Sequence, residues 1–224
     1  MSRDPRNEFA FEMAVSNVRF GPGVTRECGM DLADLGVRHA LVLTDGNVAP
    51  LAPVRTTLES LDAAGIKATV YDRVRVEPTD ESFRDAIHFA NQGAYDGFVA
   101  VGGGSTIDTA KAVNLYTTYP PEDFLDYANA PIGKALPVPG PLKPLIAIPT
   151  TAGTGSETTG VSIFDLTRIH AVGNCRTRGP RRPAGSSRRR CRRALARNFS
   201  PSPRPEQGQS LDRVVTRGSC DQSA

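Results

Sequence analysis

The sequence predicts an α/β fold in which a Rossmann-like parallel sheet spans residues 17–167. Four short apolar segments, at 39–44, 66–71, 97–101 and 145–149, have the composition of buried parallel strands. They alternate with helical patterns at intervals of roughly 25–30 residues, which is typical of repeated βαβ units. Glycine-rich segments follow two of these strands directly. Because an open parallel sheet binds ligands at the carboxyl ends of its strands, these segments form the candidate site.

The elements between the strands are predicted from apolar periodicity and from their end signals. Residues 17–20 alternate weakly before a Gly-Pro-Gly turn and are predicted to form an edge strand. Gly65 is a predicted helix stop, and Thr79 is a predicted helix N-cap. The predicted apolar helix faces are Cys28, Leu32 and Leu35 in residues 24–35, Val54, Leu58 and Leu61 in residues 50–64, and Phe83, Ala86, Ile87 and Ala90 after Thr79.

The composition changes abruptly after residue 167. Residues 1–167 hold 13 Lys or Arg and 21 Asp or Glu, a net charge of −8, whereas residues 168–224 hold 14 Arg, no Lys and three acids, a net charge of +11. Only seven residues of the second part are Leu, Ile, Val or Phe. Their burial does not offset an ordering entropy of about 1–2 kcal/mol per residue. We therefore expect 168–224 to be a disordered Arg- and Pro-rich tail, and 1–16 to be an N-terminal extension.

Two further hypotheses concern this tail. Its mixture of Arg, Pro, Ser, Gly and Ala is typical of a GC-rich coding region translated in a wrong frame, so we expect a frameshift or aberrant splice near residues 167–175, and sequencing of the locus tests this. Its 14 Arg also raise the alternative of salt-dependent nucleic-acid binding. Phe199 is its one aromatic residue and no known module is recognisable, so we expect no nucleic-acid partner.

Targeting signals are not predicted. The chain has no apolar run of about 18 residues, so no membrane span is expected. The first 13 residues include Asp4, Glu8 and Glu12 and lack an apolar core, which predicts the cytoplasm rather than secretion or mitochondrial import. The four Cys lack metal-ligand spacing and are expected to be unpaired thiols.

The first candidate motif is VGGGSTIDTAK at 101–111, where a buried strand, three glycines and a helix start follow one another. Glycines let the backbone approach a phosphate closely, and the unpaired N–H groups at a helix start can bind a diphosphate. The motif is neither GxGxxG nor a Walker A loop. A tight strand-to-helix turn without a ligand is the alternative for this motif taken alone.

Two further features follow strands. PTTAGTGSE at 149–157 offers N–H and O–H donors to phosphate or ribose oxygens, with a plain polar loop as its alternative. Asp45 comes at the end of the strand that starts near His39. A carboxylate there can accept ribose hydroxyls and repel a 2′-phosphate, which favours NAD(H) over NADP(H). A turn or helix-cap aspartate is the alternative for Asp45.

These residues resemble a known family. GGGSTIDTAK at 102–111 and PTTAGTGSE at 149–157 are similar to the two glycine-rich motifs of the iron-dependent (group III) alcohol dehydrogenases. The segments at 71–80, 123–127, 130–134, 141–146 and 158–165 resemble one branch of that family, the hydroxyacid-oxoacid transhydrogenases. The resemblance runs from about residue 17 to residue 167.

The resemblance implies an N-terminal α/β dinucleotide domain, as in the dehydroquinate synthase-like fold, followed by a helical metal domain. Enzymes of this branch oxidise 4-hydroxybutyrate to succinate semialdehyde. They pass the hydride, through a retained nicotinamide cofactor, to 2-oxoglutarate and form 2-hydroxyglutarate. The resemblance therefore implies small hydroxyacid and oxoacid substrates, NAD(H) and Fe²⁺ or Zn²⁺, and it is compatible with a homodimer.

The resemblance also implies the cofactor-binding residues. Asp45 matches the position that contacts the adenosine ribose. Glu77 stands where relatives often have Asn beside the adenine, so no contact is assigned to it. The remaining assignments are Gly103, Gly104 and Ser105 in the diphosphate loop, Asp108 in the same motif, and Thr150, Thr151, Ala152, Gly153 and Thr154 around the nicotinamide.

The family holds its metal with one Asp and three His of the helical domain, beyond the matched part. The three His of this chain, His39, His88 and His170, form no HxxxH pair. We therefore assign no metal ligand and no catalytic residue. The alternatives are a transhydrogenase, a generic NAD-dependent iron alcohol dehydrogenase, and a nucleotide-binding module without catalysis. We expect the first for the gene and the last for this polypeptide.

Overall fold

The computed structural model describes residues 17–167, 171–176 and 213–217. Within these ranges the chain forms eight strands, four α-helices and two short 3-10 helices, at Val24–Glu27 and Phe124–Tyr127. The strands are β1 (Asn17–Phe20), β2 (His39–Leu43), β3 (Lys67–Tyr71), β4 (Gly97–Gly102), β5 (Leu145–Pro149), β6 (Val161–Leu166), β7 (Ala171–Arg176) and β8 (Arg213–Arg217). The helices are α1 (Cys28–Asp34), α2 (Ala52–Ala63), α3 (Asp80–Asn91) and α4 (Gly104–Thr118).

The main sheet has the strand order β1-β8-β5-β4-β2-β3. Its β5, β4, β2 and β3 strands are parallel, and β8 is antiparallel to both β5 and β1. The predicted parallel sheet is confirmed, and so is the predicted edge position of β1 among the described strands. Because the four parallel strands point the same way, the segments after β2, β4 and β5 emerge at one edge of the sheet.

The sheet is covered by helices on both faces, because alternate strand residues point to opposite sides. On one face Leu41, Leu43 and Phe98 pack with α3 and α4. On the other face Ala40 and Val42 pack with α1 and α2. A third cluster joins the outer side of α4 to the 3-10 helix at Phe124–Tyr127 and to the β6–β7 pair.

The predicted helices form with small differences at their ends. Residues 24–35 form a 3-10 turn followed by α1, which ends at Asp34, so Leu35 lies beyond the helix and is exposed rather than part of its apolar face. Gly65 ends α2 with φ 71°, as predicted. Thr79 caps α3 as predicted: its side-chain oxygen accepts the Ser82 N–H, and Ser82 Oγ accepts the Thr79 N–H to complete a capping box.

The expectation of disorder over 168–224 does not hold for two segments. β7 pairs with β6, and β8 lies between β1 and β5. Strand pairing satisfies main-chain N–H and C=O groups without a long apolar run, so a segment of low apolar content can still form a strand. The rest of 168–224, with His170, Cys191 and Cys220, and the extension at 1–16 lie outside the described residues.

None of the helices in the described ranges is both long and apolar enough to span a membrane. Cys28 and Cys175 are buried free thiols, and burial raises the pKa of each to about 12.

Candidate functional site

The diphosphate loop predicted at Gly103–Ser105 connects β4 directly to α4. Gly103 is the N-cap of this 15-residue helix and has no side chain with which to cap it. The first amide groups of α4 therefore point to the carboxyl edge of the sheet with the positive end of the helix dipole behind them. No acid lies in the first turn of α4, so nothing there competes with an anionic ligand.

The second loop, at 149–157, lies directly against the first. Gly102 pairs with Pro149, and the Thr150 N–H donates to the Gly102 carbonyl oxygen over 3.0 Å. A Cβ added to Gly103 would lie 3.3 Å from Thr151 Oγ1, and a Cβ added to Gly104 would lie 3.0 Å from Ser156 Oγ. The two loops thus approach closely at both glycines, and a side chain at either position would require the facing Thr151 or Ser156 side chain to shift.

The second loop is exposed where it was assigned to the cofactor. All five assigned residues, Thr150, Thr151, Ala152, Gly153 and Thr154, are open to solvent. Gly153 has φ 109° and Gly155 has φ 64°, backbone conformations that favour glycine over residues with a side chain. The loop therefore presents hydroxyl and amide groups at the same edge as the start of α4.

Asp45 follows β2, the neighbour of β4, and reaches this same edge. Its Oδ1 accepts the N–H groups of Asn47 over 2.9 Å and of Val48 over 3.0 Å. Asp45 therefore stabilises a turn, which was the alternative for this residue. A carboxylate has about four acceptor sites on two oxygens, so the turn leaves capacity for a ribose hydroxyl.

Asp108 lies one turn further into α4, where its carboxylate contacts protein groups. Lys111 Nζ donates to Asp108 Oδ1 over 2.9 Å, and the Ile163 N–H donates to Asp108 Oδ2 over 3.2 Å. Lys111 also donates to Thr159 Oγ1 over 3.1 Å and to the Val161 carbonyl oxygen over 2.7 Å. The structure thus places Asp108 in a buried tie between α4 and β6, apart from the exposed loop residues.

Sequence reasoning assigned no role to Lys111 or Glu77. Lys111 is 1% exposed although Lys is rarely buried, and its place in an otherwise small and apolar helix segment is the signal that could have marked it. Glu77 has φ 57°, and its N–H donates to Ser105 Oγ over 3.3 Å. That contact spans 28 residues, and nothing local in the sequence indicates it.

The described residues do not fit a metal site. Within the described ranges no three His, Cys, Asp or Glu side chains gather in a way that could hold an ion. His39 contacts Thr69 Oγ1 over 3.0 Å and packs against Tyr95, whereas His88 of α3 contacts Gln92, the residue that follows this helix. The two imidazoles thus serve separate local contacts.

Comparison with known proteins points to one family. A sequence model of the family described as iron-containing alcohol dehydrogenase matches residues 16–174, beyond the limit of 167 drawn from the resemblance. The mitochondrial hydroxyacid-oxoacid transhydrogenase of Bos taurus is 63% identical over 162 residues, which cover 72% of this chain and 35% of that protein. The probable mitochondrial transhydrogenase of Dictyostelium discoideum is 57% identical and is covered to 31%. The chain spans about a third of the length of these relatives.

Solved structures show the same fold. A 1,3-propanediol oxidoreductase superposes with a TM-score of 0.67 at 32% identity, over 74% of this chain and 42% of that chain. An alcohol dehydrogenase from Oenococcus oeni superposes with a TM-score of 0.65 at 30% identity, with the same two coverages. From the family match over residues 16–174, together with these structural neighbours, we conclude that this chain belongs to the iron-containing alcohol dehydrogenase family.

Proposed function

We propose that residues 17–167 bind a nicotinamide dinucleotide at the carboxyl edge of the parallel sheet. The observation that supports this most is the direct contact of two glycine-rich loops after the neighbouring strands β4 and β5. In this proposal the start of α4 at Gly103, Gly104 and Ser105 binds the diphosphate. The Asp45 carboxylate accepts hydrogen bonds from the adenosine ribose hydroxyls. The loop at 150–154 surrounds the nicotinamide, whose chemistry is hydride transfer.

Titration of the purified 224-residue chain with NADH tests the proposal. We expect saturable binding with a Kd of about 10–100 μM. Binding is monitored by the blue shift and gain of nicotinamide fluorescence, and it should also raise the Tm of the protein. ADP-ribose, which carries the diphosphate without the nicotinamide, should compete. Absence of saturation at about 1 mM NADH, roughly 4 kcal/mol of binding free energy, overturns the proposal.

We propose NAD(H) over NADP(H) because of Asp45. The change Asp45→Asn keeps an Oδ1 acceptor for the N–H groups of Asn47 and Val48 and removes the negative charge. The preference for NADH over NADPH should fall about tenfold, which is about 1.4 kcal/mol, because a 2′-phosphate is no longer repelled. An unchanged ratio of the two affinities would place the ribose elsewhere.

For the full-length enzyme of this gene we propose hydroxyacid-oxoacid transhydrogenase activity, by analogy with relatives of that name. In that reaction 4-hydroxybutyrate loses a hydride and a proton to give succinate semialdehyde. A bound NAD would carry the hydride, and 2-oxoglutarate would take up that hydride and the proton to give 2-hydroxyglutarate. An NAD-dependent iron alcohol dehydrogenase without the second half-reaction is the alternative, and product analysis with and without 2-oxoglutarate distinguishes the two.

For the 224-residue chain itself we propose nucleotide binding without turnover. The family needs three His for its metal, and His39 and His88 lie in separate contacts. The assay is turnover of 4-hydroxybutyrate plus 2-oxoglutarate with added Fe²⁺ or Zn²⁺. Turnover in proportion to the purified chain would contradict this proposal, while NADH binding without turnover supports it.

We propose the cytoplasm as the compartment of this protein, because of the acids in its first 13 residues. The alternative is the mitochondrion, which the names of the relatives state for those proteins. A fluorescent protein fused to the C-terminus of the full chain distinguishes the two compartments.

We propose small hydroxyacids and oxoacids as the substrates. We also propose a homodimer, because the family resemblance is compatible with one, and sedimentation checks it.

A further inference from the structure

The segment between β3 and α3 crosses the start of α4, and Glu77 is its point of contact. The Glu77 N–H donates to Ser105 Oγ over 3.3 Å. Glu77 itself has φ 57°, in the left-handed region that residues other than glycine, asparagine and aspartate seldom adopt. An exposed glutamate therefore holds an unfavourable backbone conformation beside a residue of the proposed diphosphate loop.

The surrounding contacts hold Glu77 in that conformation. Pro78 follows it, and a residue before proline ordinarily favours extended backbone. The Asp165 N–H donates to the Pro78 carbonyl oxygen over 2.8 Å, and Thr79 is held by the capping box of α3. Upstream, the Val74 N–H donates to the Thr44 carbonyl oxygen over 3.2 Å. Because both flanks are fixed by strands and a helix cap, the Glu77 amide is directed at Ser105 and kept there.

The contact decides what the Ser105 hydroxyl can do. A serine hydroxyl carries one donor and two acceptor sites. The Glu77 N–H takes one acceptor site, which leaves the O–H hydrogen and one acceptor site, and of these only the hydrogen can bond a diphosphate oxygen.

We propose that Glu77 is a positioning residue: its left-handed backbone directs an amide to Ser105 Oγ and so orients the Ser105 hydroxyl hydrogen toward a diphosphate oxygen. The proposal rests on the proposed dinucleotide function and adds a residue to it. The Glu77 carboxylate plays no favourable part, since a negative charge near a diphosphate is repulsive.

Two substitutions separate the backbone from the charge. Glu77→Gln removes the charge and keeps an unbranched side chain, whereas Glu77→Val removes the charge and adds the β-branching that left-handed backbone tolerates least. The difference in ADP-ribose affinity between these variants, measured by calorimetry on the full chain, reports the backbone contribution. We expect Glu77→Val to bind about threefold to tenfold more weakly than Glu77→Gln.

The ADP-ribose affinities of the Val and Gln variants are then compared in a Ser105→Ala background. This comparison separates a role of Glu77 that acts through the Ser105 hydroxyl from a role in the stability of the fold alone. We expect the difference between the Val and Gln variants to disappear there, because no hydroxyl remains to be oriented. Ala135→Val is the matched control, since Ala135 is also exposed and has φ 51°, outside both glycine-rich loops. It should lower Tm and leave ADP-ribose affinity unchanged.

Residue-resolved amide exchange gives a second measurement if the Val variants do not fold. The Glu77 amide should exchange slowly in the unsubstituted chain, more slowly with ADP-ribose bound, and quickly in Ser105→Ala with or without the ligand. Equal exchange in both chains, or a Val-to-Gln difference that persists in Ser105→Ala, overturns the role of Glu77 alone. Absence of ADP-ribose binding by the unsubstituted chain overturns the proposed function and this role with it.

Discussion

At the scale of single residues, glycine serves two different purposes in this chain. Gly104 starts α4 where the two loops meet, and a Cβ there would lie 3.0 Å from Ser156 Oγ and 3.2 Å from Thr154 Cγ2. Gly29 lies in α1 against α2, and a Cβ there would lie 2.0 Å from the Ser60 carbonyl oxygen. The first glycine shapes the candidate site, and the second allows two helices to pack.

Alanine at Gly104 should therefore weaken NADH binding, whereas alanine at Gly29 should lower the stability of the fold. Gly104→Ala should weaken NADH binding about tenfold, or about 1.4 kcal/mol, because it displaces flexible side chains of the second loop and occupies the space beside the helix start. Its effect on the free energy of unfolding should be small. Gly29→Ala should lower that free energy by about 1–3 kcal/mol through overpacking against backbone, with unchanged NADH affinity of the folded protein.

Calorimetric titration and urea unfolding of both variants provide the measurements. A Gly104→Ala variant that binds NADH normally would show that the contact between the loops does not matter for the cofactor.

At the scale of elements, α4 is tied to β6 by the buried Lys111. Its ammonium joins the Asp108 carboxylate to Thr159 Oγ1 and the Val161 carbonyl oxygen, which follow the second loop. The side chain of Lys111 is 1% exposed and that of Asp108 is 10% exposed, so water screens the pair little. This tie connects α4, which follows the first loop, to β6, which follows the second loop, and so fixes the distance between the two loops.

Breaking the tie on one side should be costly. Lys111→Met should lower the free energy of unfolding by about 3–5 kcal/mol, because it leaves the Asp108 carboxylate buried without its cation. The double variant Asp108→Asn with Lys111→Met should recover at least half of that loss, since no unpaired charge remains. Urea unfolding compares the three chains, and a double variant as unstable as Lys111→Met alone would contradict a charge-based cause.

A second tie joins β3 to α3 and produces a pH dependence. Tyr71 Oη donates to Asp85 Oδ2 over 2.7 Å. Burial, and then the Asp85 carboxylate, raise the pKa of Tyr71 above its usual value. Below about pH 10, the usual tyrosine pKa, the hydroxyl is protonated in both the folded and the unfolded chain. Above it, the unfolded chain loses this proton first, so stability falls as the pH rises.

Tyr71→Phe should flatten the decline of unfolding free energy above pH 10 and lower stability by about 1 kcal/mol at neutral pH. Urea unfolding at pH 8, 10 and 11 is the measurement. Asp85→Asn, which keeps a neutral acceptor, is the control and should retain the decline in part. A slope identical to that of the unsubstituted chain would exclude Tyr71 as its source.

At the scale of the whole molecule, β8 completes the main sheet. It lies between β5 and β1, with Val215 opposite both Ala147 and Val18. β8 thus provides the hydrogen bonds that connect β1 to the parallel strands β5, β4, β2 and β3.

A proline in this strand tests its place. Val215→Pro removes an interior N–H donor and should lower the free energy of unfolding by about 1–3 kcal/mol. Leu136→Ala, at an exposed position outside the sheets, should change it by less than about 0.5 kcal/mol. NADH affinity should not change in either variant. A Val215→Pro chain of unchanged stability would show that β8 contributes nothing to the sheet in solution.

Several elements could be predicted from the sequence because their causes are local. The strands β2, β4 and β5 are near-continuous apolar runs, since both faces of a parallel sheet are buried at its centre. Thr79 and Gly65 mark helix ends through their own side-chain and backbone chemistry. The two loops at Gly103 and Thr150 were placed at strand ends because glycines and small hydroxyl residues follow those runs directly.

What only the tertiary structure decided depends on partners distant in the chain. The order of strands, the insertion of β8 and the pairing of β6 with β7 are long-range choices between main-chain groups that every residue carries. The tie from Lys111 to Val161 and the contact of Glu77 with Ser105 likewise join segments 50 and 28 residues apart. Local composition determines which segments can become strands, helices and glycine-rich turns, because propensity and burial act residue by residue. Folding alone decides which of those segments meet, because that choice depends on the packing of all of them together.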